Sequence, residues 1–417
     1  MWVLSRTALR DLFSTKRFIL TAWVAVAVYL FGCAISAVLR SQSDFYIYRD
    51  AGLRTALGKH IYDLNDLDPF QYAPIYALFF IPFGRLPVRW AQALWFLISM
   101  AVALPALILG TGRLLFGAKS TLRAELILAP VLLCTRFILP SFDQGQSDLI
   151  VLAMIAWGLA FASESKARLG GALLAASVLI KPLALPPLVY LMFRRRWSAI
   201  VSFVCFTLLL LAVPAVVLGA GRAFSETSDY ISSLSGRVHV QRLLHDLASP
   251  YDQSPTALSV RVFSQRKGGL AWFETGTAAS IGFLYQFILM LLVIRWATLH
   301  RTQSGEDDLL AISAVFAMVP ALLPTVWLGY YTALMVPYMG LLAIGLSTPI
   351  PGSLCSNVAL VVIAISFILN VAGRFSNTAM FYGAPYVGSL VILSGIVVIR
   401  SEKELNGSLN IDRQLAR

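Results

Sequence analysis

Asp44 stands in Ser41-Gln42-Ser43-Asp44-Phe45-Tyr46-Ile47-Tyr48-Arg49-Asp50, directly after the first long apolar run of a 417-residue chain. An acid there sits just outside a bilayer, at the mouth of a membrane bundle, where it suits a general base. Asp50 is a second acid in the same stretch. Lys181 is followed by Pro182 in the middle of an apolar segment. A buried ammonium facing a cavity can grip a phosphate, whereas a lysine near an interface can simply snorkel to water. Arg136 lies inside another apolar run, and an intramembrane charge normally has a partner or a ligand. Asp143-Gln144-Gly145-Gln146-Ser147-Asp148 follows it, either a polar helix–helix turn or a set of sugar-binding amides. Phe70-Gln71-Tyr72-Ala73-Pro74 in the first outer loop and the segment Trp327-Leu328-Gly329-Tyr330-Tyr331 complete the set. Its aromatics are either interfacial belt residues or a stacking surface for a sugar.

The elements that must position these residues are membrane helices. The chain is 58% hydrophobic and 13% charged, with mean hydropathy +0.75, against about 25% charged residues in soluble domains. Continuous apolar runs rather than alternating ones exclude a β-barrel. The fold class is therefore an all-α polytopic membrane protein. The net charge of +12 reflects basic residues in short cytoplasmic loops, not nucleic acid as a partner, and no phosphate loop or zinc spacing is present. Cys33, Cys134, Cys205 and Cys355 read as buried hydrophobes. No Ser-His-Asp order or G-x-S-x-G elbow appears. Four histidines (His60, His239, His245, His300) make a histidine-rich metal site a poor expectation, and none is assigned.

Twelve spans are expected, roughly 18–39, 91–112, 124–140, 147–163, 169–182, 183–193, 197–219, 271–296, 308–325, 330–347, 354–371 and 384–400. The first is full length with no small-residue cleavage site behind it, so it is read as an uncleaved span. Arg6, Arg10, Lys16 and Arg17 place the N-terminus inside, and Arg194-Arg195-Arg196 and the C-terminal Arg400 and Lys403 also fall inside. The pair meeting at Lys181-Pro182 reads as two half-spans, tolerated where they line a polar cavity. Residues 73–87, framed by Pro74, Pro82 and Pro87, read as re-entrant on the outer side. The chain is then one integral membrane domain over 1–417. Its first extracytoplasmic loop covers 41–89. A second, over 221–270, is basic (Arg222, Arg237, Arg242, Arg261, Arg266, Lys267), which marks either a weak positive-inside rule in a long loop or an anion site.

The ordered series Asp44-Phe45-Tyr46-Ile47-Tyr48, Gly58-x-x-Ile61-Tyr62, Phe70-Gln71-Tyr72-Ala73-Pro74, Leu86-Pro87, Gly145-Gln146, Gly170-Gly171, Lys181-Pro182 and Arg194-Arg195-Arg196-Trp197 resembles the bacterial polyprenol-phosphate-mannose-dependent α-1,2-mannosyltransferases, glycosyltransferase family 87, of the membrane-embedded GT-C class. The resemblance returns at Asp252-Gln253-Ser254 and at 324–331. It implies a GT-C-type bundle of about 12 helices in the bacterial plasma membrane and an extracytoplasmic active site. The implied reaction is inverting transfer of a hexose from a polyprenyl-phosphate-sugar donor to a glycolipid or glycan acceptor. Asp44 is its implied catalytic base. Lys181, Arg136 and Arg261 are expected at the donor phosphate, and Asp50, Tyr48, Tyr72, Gln144, Gln146, Gln253, Trp327 and Tyr330 at the substrates. No cofactor is required, although a divalent metal would be compatible with the phosphate. Gly329 and Tyr330 depart from the family's Trp-x-His-His pattern, which puts the donor and acceptor identity in doubt. The alternative reading is a lipid or lipid-linked-sugar transporter, which also places polar residues at broken helices.

Overall fold

In the computed structural model the described residues are 43–62, 70–118, 120, 122–235, 246–264, 270–299, 305–321, 323, 325–347 and 353–415, with isolated positions at 20, 21, 24, 28 and 32. The span expected over 18–39 thus falls essentially outside them. Among the described residues the structure is helical throughout apart from one isolated bridge between Ser264 and Phe273.

The outer elements come first. Helix α1 (Ser43–Ala56) carries Asp44 in its first turn and stops ahead of Gly58, which takes a positive φ of 75°. Two short helices follow, α2 (Pro74–Phe79) and α3 (Ile81–Arg85). Each is far too short to cross a bilayer, which takes about 20 residues, and both pack on α1.

The bundle then begins with α4 (Val88–Phe116), a continuous apolar helix. Its π-helical turn at Ser99–Ala103 immediately precedes Pro105, whose missing N–H interrupts the regular ladder. Next come α5 (Ala124–Asp143), α6 (Asp148–Ser163) and α7 (Ala167–Ile180). The chain breaks at Lys181, which is extended (φ −146°, ψ 138°). Proline disfavours helical geometry in the residue before it, so Pro182 sets this break. A 3-10 turn (Pro182–Ala184) leads into α8 (Leu185–Phe193). The break anticipated at Lys181-Pro182 is therefore present.

The remaining elements are α9 (Trp197–Leu218), α10 (Ala220–Ser235), α11 (Pro255–Phe263), α12 (Thr275–Leu299), α13 (Gly305–Met318), α14 (Met335–Ser347), α15 (Leu354–Phe375), α16 (Asn377–Phe381) and α17 (Ala384–Leu415), with 3-10 turns at Val319–Ala321 and Leu328–Leu334. The expected second loop, 221–270, thus contains two helices, α10 and α11.

Seven helices are long and apolar enough to cross a membrane, and four shorter apolar helices accompany them: Asp148–Ser163, Ala167–Ile180, Pro182–Phe193 and Asp308–Ala321. The twelve expected spans accordingly meet seven full-length ones among the described residues. The most buried span is Leu328–Leu346, surrounded by its neighbours, while Trp197–Leu218 leaves most of its apolar surface exposed, as a lipid-facing helix does.

The outer elements form their own core of Phe45, Tyr48, Tyr72, Tyr76, Phe80, Phe83 and Trp95, with rings in edge-on and tilted contacts. Two glycines set its spacing. A side chain at Gly52 would run into the backbone of Phe80, and one at Gly84 into the backbone of Leu53. Gly52→Ala gains helix propensity of about 1 kcal/mol but overpacks backbone against backbone. The expected net loss is about 1–3 kcal/mol, read as a lower unfolding midpoint in detergent, whereas Gly276→Ala, which faces open space, leaves the midpoint unchanged or raised.

Candidate functional site

The N-terminus of α1 is held by the backbone. The N–H groups of Asp44 and Phe45 both donate to the Gln144 carbonyl, at 3.1 and 3.2 Å. This contact fixes the Asp44 carboxylate against the α5–α6 turn. Gly145, at positive φ (69°), makes that turn, and its carbonyl accepts from Trp95 Nε1 at 2.7 Å.

A cavity of about 320 Å³ opens there, lined by Ser43, Asp44, Ile47, Tyr48, Gln71, Tyr72, Gln144, Gln146, Asp246 and Trp327. Its lining is rich in hydrogen-bonding groups. The Tyr48 and Tyr72 hydroxyls lie 3.0 Å apart, and Gln146 Nε2 donates to Gln144 Oε1 at 2.8 Å. Burial raises the pKa of both tyrosines above the ordinary phenol value. They serve as hydrogen-bonding groups rather than bases. Of the expected residues, Asp44, Tyr48, Tyr72, Gln144, Gln146 and Trp327 therefore meet at one cavity.

Lys181 comes to this region with a partner that the sequence reading left in a polar turn. Its ammonium lies 2.5 Å from Asp148 Oδ1, and both side chains are buried. The Tyr330 ring sits 4.8 Å from the same ammonium. Asp148 Oδ2 and Gln146 Oε1 both lie against Gly329, and Gln146 lines the cavity, so the pair adjoins it. Lys181 is thus already paired with one carboxylate. The other oxygen, Asp148 Oδ2, has no hydrogen-bond partner among the described residues. It lies against Gly329, where any side chain would collide with it and with Gln146 Oε1. That packing gives a physical reason for glycine at 329, one of the two positions where histidine was expected.

The structure does not bring the remaining candidates to the cavity. Asp50 points away, about half exposed, and pairs with Arg54 at 2.6 Å. Arg136 donates to the Asn370 carbonyl on α15 and to Met380 Sδ. Its partner is a helix junction, not a ligand. Arg261 is buried and clasps three carbonyls, those of Phe381 (3.0 Å), Ser249 (2.7 Å) and Asp252 (2.6 Å). Gln253 donates to the carbonyls of Pro250 and Met380, and its own carbonyl accepts from Tyr331. These two belong to a structural clasp. Of the basic residues that suggested an anion site, Arg237, Arg242, Arg266 and Lys267 lie outside the described residues, and Arg222 donates to the Lys59 carbonyl.

The sequence reading missed Asp246, which carried no signal above a solvated loop. It named Asp148 and Gln71 only as parts of polar segments, although Asp148 carried a signal, an acid at the start of an apolar helix.

Within the clasp, Asp252 accepts from the backbone N–H of Ser254 and of Val326, both at 2.9 Å, fixing the turn that bears Trp327. Burial nonetheless raises its pKa to about 6 from 3.8. A carboxyl raised in the folded state contributes stability fully present below about pH 4 and lost as pH rises through 6. Unfolding midpoints measured from pH 4 to 7 should fall for wild type relative to Asp252→Asn, by on the order of 3 kcal/mol across the window.

Removing one member of the buried pair tests it directly. Lys181→Met leaves the Asp148 carboxylate buried and unpaired and should destabilise the protein by about 3–5 kcal/mol. The double variant Lys181→Met/Asp148→Leu should recover most of that loss in the same unfolding assay.

Residues 70–325 match the family model described as Glycosyltransferase family 87. No curated protein and no solved structure matches the chain. The matched stretch holds half of the cavity lining and the buried pair, while Asp44 and α1 precede it and Trp327 follows it.

Proposed function

Since this chain belongs to glycosyltransferase family 87, we propose that it transfers a hexose, mannose by the resemblance, from a polyprenyl-phosphate-sugar donor to an acceptor hydroxyl. The membrane is read as the bacterial plasma membrane, crossed about twelve times with both termini inside, and the cavity as opening on its extracytoplasmic face. Residues 73–87 are then re-entrant, and the acceptor is a glycolipid or a glycan.

The observation that carries this reading is the cavity that holds Asp44 among amides, phenols and an indole. Its size and lining suit a sugar ring, with Trp327 available for stacking and the amides for hydroxyls. Behind the Tyr76–Trp95 wall lies an almost wholly apolar cavity of about 200 Å³, lined by Ile75, Phe79, Ile150, Met154, Leu179 and Ile180 among others. An isoprenoid chain would fit that lining. Ile180 is the neighbour of Lys181, so a lipid there would bring its phosphate toward the ammonium.

In this mechanism the acceptor oxygen attacks the anomeric carbon from the face opposite the phosphate. Its proton passes to the Asp44 carboxylate as the new C–O bond forms. The bond from the anomeric carbon to the phosphate oxygen breaks, and its electron pair leaves on polyprenyl phosphate. One carboxylate suffices because a phosphate leaving group needs no proton, unlike the two carboxylates of glycoside hydrolases. Lys181, oriented by Asp148, stabilises the charge that develops on the phosphate. Arg136 and Arg261 are engaged elsewhere and have no part in this step, which is written without a metal. No observation favours the transporter reading.

The test is release of polyprenyl phosphate from polyprenyl-phosphate-mannose by the purified full chain with a mixed glycolipid acceptor pool. Wild type should release it with sugar transfer, and Asp44→Asn should lose about 10²–10⁴-fold in rate. Full activity in Asp44→Asn with loss in Asp246→Asn would move the base to Asp246. Folded, lipid-binding protein that releases nothing from any polyprenyl-phosphate hexose would overturn the enzyme reading.

A further inference from the structure

Away from the cavity, the segment that closes α1 meets α10 through three metal-ligating side chains. His60 Nδ1 lies 3.7 Å from Glu226 Oε1 and 3.8 Å from Asp229 Oδ2. Together the three ligand atoms lie within 4.8 Å of one another. Glu226 and Asp229 are three residues apart on one helix, so they share a face. Both therefore point at the same imidazole from the neighbouring loop.

We infer that His60, Glu226 and Asp229 form a site for a divalent transition-metal ion of the Zn²⁺ kind, which clamps the His60 loop onto α10. One imidazole and two carboxylates make a donor set suited to zinc and its neighbours rather than to magnesium or calcium, which favour oxygen alone. Zinc bonds to such atoms are about 2.0–2.2 Å long, so the three ligand atoms draw closer on binding, and the exposed His60 and partly exposed Asp229 side chains are the ones with room to adjust. Glu226 is fully buried at the base of the cluster, and its second oxygen accepts from the Ile61 N–H at 3.0 Å. That bond turns the first oxygen toward His60, the orienting role that outer hydrogen bonds play around metal ligands. Arg222 reaches the same carboxylate only at 3.4 Å and spends its terminal nitrogen on the Lys59 carbonyl at 2.5 Å. It braces the loop from beside Glu226 Oε1, the oxygen that also faces His60. With a neutral imidazole, two carboxylates and one guanidinium, the cluster carries a net negative charge that a divalent ion reverses.

A bound ion would fix the loop from which Tyr62 reaches back to the Tyr72 carbonyl at 2.6 Å. Tyr72 lines the Asp44 cavity, so the clamp buttresses one wall of it. The clamp itself holds no substrate.

Two rival explanations of the cluster are a plain ion-pair clasp between protonated His60 and the carboxylates, and a nonspecific acidic patch. Titration calorimetry of the full chain in detergent, with Zn²⁺ and then Mg²⁺ as the added ion, separates them. The expected result is one Zn²⁺ per chain with affinity lowered at least about tenfold in both His60→Ala and Asp229→Asn, and no comparable Mg²⁺ binding. These two side chains are partly or largely exposed, so the variants should keep the wild-type unfolding midpoint without metal, whereas wild type alone gains on adding Zn²⁺. Absence of Zn²⁺ binding in folded wild type would overturn the site, leaving the ion-pair clasp. Unchanged affinity in both variants would overturn it too.

Discussion

The buried pair between Lys181 and Asp148 is the constraint around which the polar end of this bundle is arranged. Two charges taken from water cost several kcal/mol each unless mutual attraction and hydrogen bonds offset that cost. The surrounding elements are placed so that they do. Pro182 ends α7 at the point where the ammonium must emerge. The short turn at Gly145 starts α6 so that Asp148 lies in its first turn, where helix polarity favours a carboxylate. Tyr330 covers the ammonium with the face of its ring, and Gly329 leaves room for the second carboxylate oxygen. Three separate chain segments thus converge on a single ion pair.

Around that pair the aromatic residues divide polar from apolar space. Tyr48 and Tyr72 turn hydroxyls into the cavity beside Asp44, while Tyr76 and Trp95 present ring surface to the apolar cavity behind. Phenylalanine would keep the packing but lose the hydroxyls, and a smaller residue would join the two spaces. A polar cavity and an apolar cavity are thus both lined by members of one aromatic cluster.

Much of this was legible in the sequence, for identifiable reasons. Hydropathy located every described long span, because twenty apolar residues in a row have few other uses. The proline after Lys181 announced the helix break. Asp44, Tyr48, Tyr72, Gln144, Gln146 and Trp327 gather at one cavity, as their order along the chain suggested. Charge was the poor guide. Arg136, Arg261 and Asp50 looked like ligand-binding groups because each is rare in its setting, yet the first two are consumed by backbone carbonyls and the third by Arg54. A sequence reveals that a buried cation needs a partner but not whether a helix end already provides it. For the same reason Asp148 was passed over: its partner lies one helix further along, and only packing joins them. His60 and Glu226 are more distant still.

The separation of tasks among the acids follows from their surroundings rather than their type. Asp148 is locked to a cation and wholly buried, so it is held in place against Lys181. Asp252 is tied to two backbone N–H groups and holds a turn. Asp44 combines a partly exposed carboxylate at the cavity with a helix start fixed at two backbone N–H groups. The base of the proposed mechanism would need that combination: a rigid main chain for aim, and a carboxylate open to the cavity. Asp246 also lines the cavity, from a different segment of the chain.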